Sequence, residues 1–62
     1  MISTIYVSED RENGTLELRW GIYDAGLIAD CFRTVKPGET AFGYTYEELR
    51  DHGEIEADTS KD

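Results

Sequence analysis

The stretch Leu16-Glu17-Leu18-Arg19-Trp20-Gly21-Ile22-Tyr23 places apolar residues at every second position. A period of 2 sustained over this length specifies a strand with one buried face. Such a strand needs sheet neighbours and a second layer over its apolar side. Ile2 to Ser8, rich in β-branched and aromatic residues, reads as the first neighbour. The segment between them, Glu9-Asp10-Arg11-Glu12-Asn13-Gly14, ends in Asn-Gly, a strong turn signal.

The segment after Tyr23 fits two patterns. Leu27, Ile28, Cys31, Phe32 and Val35 are spaced like one face of a helix over residues 25–36, with Asp24 as N-cap. The same residues make a third strand if Asp24-Ala25-Gly26 is a three-residue hairpin loop. That loop sets Ile22 opposite Ile28, Leu18 opposite Phe32 and Glu17 opposite Arg33. Pairs of this kind contribute about 0.2–1 kcal/mol each. One pair, Trp20 against Asp30, fits poorly. The cross-strand matches and the β-branched Ile28, Thr34 and Val35 favour the strand, with the helix as the alternative.

Lys36-Pro37-Gly38-Glu39 ends this element, and Thr40 to Tyr44 is a short candidate edge strand. The best-specified helix start is Thr45. With Glu48 it forms a capping box, and Tyr44 and Leu49 flank it as a hydrophobic staple. Glu47 and Glu48 suit the positive end of the helix dipole, and Arg50 and His52 suit the negative end. Gly53 is a natural stop. A helix of about nine residues cannot stand alone in water, so Tyr46 and Leu49 must pack on the sheet. Residues 54–62 are acidic, with Ile55 their one sizeable apolar side chain, and are expected to fray.

The expected fold is therefore α+β: a three-stranded antiparallel meander with one short C-terminal helix, β-β-β-α. One domain covers residues 1–53, and an acidic tail covers 54–62. In layout, and in the helix start Gly43-Tyr44-Thr45-Tyr46-Glu47-Glu48-Leu49, the chain resembles the antitoxin half-domains of the HicB type. The resemblance implies the β-β-β-α architecture and assigns no residue a role.

The chain has 62 residues and a single cysteine, Cys31, so no disulfide framework supports it. A chain this short buries only about 60% of its unfolded surface, which leaves it marginally stable. No apolar run approaches the roughly 20 residues that span a membrane, and the first residues lack a secretory pattern. These features predict a soluble, cytoplasmic protein with a reduced thiol. The net charge of −8 repels nucleic acid and anionic lipid and favours basic protein surfaces.

Motifs that carry chemistry are weak. Gly38-Glu39-Thr40-Ala41-Phe42-Gly43-Tyr44-Thr45 has the spacing of a phosphate-binding loop, but Tyr44 stands where that loop needs lysine and Glu39 adds repulsion. Cys31 and His52 lack an orienting third group and an oxyanion hole. Neither belongs to a set with metal-ligand spacing. The expectation is no enzyme activity, no cofactor and no metal.

The acids are more informative. Capping explains Glu47 and Glu48, an arginine at 19 or 33 explains Glu17, and turns explain Glu9, Asp10, Glu12 and Asp24. Asp51, Glu54, Glu56 and Asp58 have no local structural reason. Residues 47–62 hold seven acids against two bases, a large part of the whole excess. Opposite the helix, the sheet should present Glu17, Arg19, Tyr23 and either Tyr6 or Val7, and tyrosine and arginine are enriched at interfaces. The expected function is a small acidic inhibitor of phage or mobile-element type, which occupies a basic surface of a host enzyme or defence complex, as anti-CRISPR and anti-restriction proteins do. Its partner-binding residues would be Glu47, Asp51, Glu54, Tyr23, Tyr6 and Glu17. The alternative is a dimeric adaptor or antitoxin-like module whose partner is a second copy.

Overall fold

The computed structural model describes residues 2–59. In chain order the elements are β1 (Ile2–Asp10), β2 (Thr15–Asp24), β3 (Leu27–Val35), β4 (Thr40–Ala41), β5 (Tyr44–Thr45), α1 (Tyr46–His52) and β6 (Glu54–Asp58). Four strands form one antiparallel sheet in the order β3-β2-β1-β6, and β4 and β5 form a separate small hairpin. The α+β class and the three-strand meander agree with the sequence pattern, and residues 27–35 are a strand rather than a helix.

The β1–β2 turn is held by Asp10. Its carboxylate accepts the amides of Glu12 at 3.1 Å and Asn13 at 3.3 Å, and the Asn13 side-chain amide at 2.7 Å. The Asn13 side chain is the main reason the Asp10 carboxyl titrates below its ordinary value.

The segment expected as one short edge strand, Thr40 to Tyr44, does not join the main sheet but folds into the separate β4–β5 hairpin. Two further features differ from expectation. The first is the register of β3. The turn contains only Ala25 and Gly26, both at positive φ (50° and 82°), which makes a two-residue hairpin of the primed type. The pairing is therefore Leu18↔Arg33, Arg19↔Phe32, Trp20↔Cys31 and Ile22↔Ala29. This is one residue away from the expected Leu18–Phe32, Ile22–Ile28 and Glu17–Arg33 matches. A one-residue slip moves every side chain of a strand to the other face. Phe32 and Ile28 accordingly stand in solvent, and Val35 enters the core. The poor Trp20–Asp30 match disappears with the slip.

The second difference is β6. Residues 54–58, expected to fray, pair with β1 from Ile2↔Asp58 to Tyr6↔Glu54. Glu54-Ile55-Glu56-Ala57-Asp58 alternates, so Ile55 turns inward opposite Ile5 while the acids turn outward. The rest of the expected tail, from residue 60, lies outside the described residues.

The core consists of Ile5, Leu16, Leu18, Val35, Ala41, Tyr46, Leu49 and Ile55. Its members from the four-stranded sheet lie on one face, and α1 covers that face through Tyr46 and Leu49. The capping box is complete: Thr45 Oγ1 accepts the Glu48 amide at 3.2 Å, and Glu48 Oε1 accepts the Thr45 amide at 3.0 Å. Gly53 at φ 71° ends the helix, donating to the Leu49 carbonyl. The Tyr46 hydroxyl donates to the Gly14 carbonyl and so ties the helix to the β1–β2 turn. Phe42, itself at φ 53°, meets Trp20 edge-to-face at 5.2 Å and extends the covered layer.

Candidate functional site

With one short helix on one side, the other side of the sheet is uncovered among the described residues. Alternation places Ile2, Thr4 and Tyr6 of β1 there, with Glu17, Arg19, Gly21 and Tyr23 of β2. Ile28, Asp30 and Phe32 of β3 and Glu54, Glu56 and Asp58 of β6 complete the surface. Five of its side chains, Ile2, Tyr6, Tyr23, Ile28 and Phe32, are large, apolar or aromatic, and exposed. Tyr6, Arg19 and Phe32 form one continuous cross-strand row. Beside it Gly21 carries no side chain, and the surface dips into an open groove of about 380 Å³ between Tyr6, Arg19, Asp30 and Phe32.

Charge is unevenly spread over this face. Arg19 is turned along its own strand, its Nε donating to Glu17 Oε1 at 2.7 Å. Of the two arginines expected for Glu17, Arg19 is thus the partner, and Thr34 rather than Arg33 lies directly across from the carboxylate. On the opposite edge, Glu54, Glu56 and Asp58 make an acidic column. Alternate residues on a strand are ~6.8 Å apart, near the separation of successive phosphates on a nucleic-acid strand.

The six residues singled out from the sequence do not share one surface. Tyr6, Glu17, Tyr23 and Glu54 lie on the uncovered face. Glu47 and Asp51 lie on α1, in the layer packed against the other side. Of the pair Tyr6 and Val7, it is Tyr6 that faces outward, while Val7 packs against the core. The sequence pattern does not single out Ile28 and Phe32, and it marks Glu56 only as an acid without a local structural reason. The signal for Glu56 is its alternation with Ile55, and that for Ile28 and Phe32 is the length of the Ala25-Gly26 turn.

The weak chemical motifs stay dispersed. Cys31 is half-buried on β3, and His52 stacks edge-on against Tyr44 at 5.7 Å. Among the described residues no three His, Cys, Asp or Glu side chains gather as a metal site. Gly38 and Gly43, which frame the phosphate-loop spacing, serve as turn residues at positive φ. No described helix is long and apolar enough to cross a membrane. Comparison with protein-family models, with curated proteins and with solved structures gives no match.

Proposed function

We propose that this chain is a small protein-binding inhibitor of phage or mobile-element type. It occupies the basic, nucleic-acid-binding surface of a host enzyme or defence complex, in the manner of anti-CRISPR and anti-restriction proteins. The observation that carries this reading is the uncovered sheet face, where Glu54 and Glu56 stand beside exposed Tyr6 and the Tyr6–Arg19–Phe32 row. The carboxylates steer a basic partner by long-range attraction, and the aromatic groups supply the desolvated anchor. Glu47 and Asp51, on the other layer, add to the field without touching the same partner surface. The negative field disfavours direct binding to nucleic acid or to an anionic membrane.

The test is capture of host partners on the immobilised chain, followed by elution with duplex DNA or with salt. A captured nucleic-acid enzyme that DNA displaces, and that Glu54→Lys with Glu56→Lys no longer retains, is the expected result. Partners that ignore both DNA and the double substitution would overturn the proposal. A dimeric adaptor or antitoxin-like module is the second reading, and the open edge of β3 favours it.

A further inference from the structure

The sheet has two edges, and among the described residues only one is protected. An edge strand offers unpaired N–H and C=O groups to any other strand, and proteins blunt such edges with charge, proline, bulges or short length. The β6 edge is five residues long and carries Glu54, Glu56 and Asp58. The β3 edge is nine residues long, Leu27 to Val35, with no proline. Its pairing with β2 runs one-to-one without a bulge, from Asp24↔Leu27 to Leu16↔Val35. It carries one acid, Asp30, and one base, Arg33, so it is locally neutral on a chain of net charge −8. Leu27, Ile28 and Phe32 stand exposed along it.

We infer that β3 is the interface for a second copy of this chain, joined as an antiparallel β3–β3 pair that makes one continuous eight-stranded sheet. Two copies at −8 repel one another, and of the two sheet edges only β3 lacks a charge excess. Geometry then sets the register. A two-residue turn is closed by a bond between its flanking residues, so Leu27, Ala29, Cys31, Arg33 and Val35 bond to β2. The amides and carbonyls of Ile28, Asp30, Phe32 and Thr34 point to the free edge. The only register that pairs all of Leu27–Val35 with its copy is centred on Cys31 opposite Cys31. It sets Ile28 against Thr34 and Asp30 against Phe32 as hydrogen-bonded pairs. Ala29 lies opposite Arg33, so no like charges meet. A shift centred on Asp30 or on Arg33 opposes like charges directly, which disfavours it. The assembly closes at two copies, because the outer edges are then both the acidic β6.

This pairing is independent of the acidic-face proposal, and salt distinguishes them. Screening weakens binding of an acidic face to a basic partner and strengthens association of two acidic chains. Sedimentation of the purified chain over concentration and salt is the experiment. The expected result is a species of twice the 7.0 kDa monomer mass, favoured by higher salt. Asp30→Pro removes an outward amide that β2 does not use, and it should give a monomer with an unchanged circular dichroism spectrum. Ala29→Arg, at an exposed position, places arginines in direct opposition and should give the same. Diamide, which takes the two thiol hydrogens and is itself reduced, should link the native dimer through Cys31. The opposed Cα atoms of a non-hydrogen-bonded pair lie about 4.5 Å apart, within disulfide range. A monomer at all concentrations overturns the inference. So does a dimer that survives both substitutions, or one that diamide does not link through Cys31.

Discussion

Phe32→Ala and Val35→Ala test the β3 register directly. In the structure Phe32 is 72% exposed and Val35 is 1% exposed. Burying a whole phenylalanine side chain is worth about 1.5–3 kcal/mol, so its covered quarter contributes well under 1 kcal/mol. Val35→Ala removes two buried methyl groups at ~0.8 kcal/mol each and leaves a small cavity, about 2 kcal/mol in total. In the alternative register, with Phe32 against Leu18 in the core, Phe32→Ala would cost about 3–5 kcal/mol. A chain of this size has roughly 3–9 kcal/mol of total stability, so that loss would unfold much of the population. The assay is urea unfolding followed by Trp20 fluorescence, at a protein concentration low enough to exclude association through β3. With a slope of about 1 kcal/mol per molar urea, the midpoint should fall by about 2 M for Val35→Ala and by less than about 1 M for Phe32→Ala. The reverse order would refute the register and with it the exposed Tyr6–Arg19–Phe32 row.

Ile55→Ala should destabilise the fold by about 2–4 kcal/mol, since Ile55 is buried against Ile5; a midpoint unchanged in the same urea assay would mean that β6 is not a working strand. Acid should weaken the fold through Asp10 and Glu48, whose carboxyls are held below their ordinary values mainly by the Asn13 side chain and by the Thr45 amide respectively. Because both folded-state values are depressed, the stability they confer is present above the ordinary carboxylate range and is lost as pH falls through it, below about pH 4. Asp10→Asn combined with Glu48→Gln should flatten that decline, which thermal melts across pH would read.

The local features of this fold are legible in the sequence because their causes lie within a few residues. Thr45 and Glu48 complete a capping box inside one helical turn, and Leu16, Leu18 and Trp20 alternate on one strand. The register of β3 is not legible in this way, because it depends on a single count. A two-residue turn with Ala25 at positive φ gives one face, and a three-residue loop gives the other. Alanine is a poor advertisement for that conformation, which usually goes to glycine or asparagine. The strand Glu54–Asp58 is obscured by composition. Its acids suggest a solvated tail, although the alternation around Ile55 is visible, and its partner β1 lies some fifty residues away in sequence. Of the candidate site, Tyr6, Tyr23, Glu17 and Glu54 can be picked out from the sequence, Glu56 shows there only as an unexplained acid, and Ile28 and Phe32 emerge only from the pairing.

β1 sits inside the sheet, yet one of its two neighbours is the last of the described strands in sequence. Its pairing with β2 closes a short loop, whereas its pairing with β6 closes a loop spanning most of the described chain, so the second contact forms late. Until it forms, Ile2, Ile5 and Val7 line a bare rim, and a half-made molecule is open to strand exchange on both sides. Glu54, Glu56 and Asp58 are therefore also a timed safeguard. Their arrival seals the rim of β1 and replaces it with one that other strands avoid.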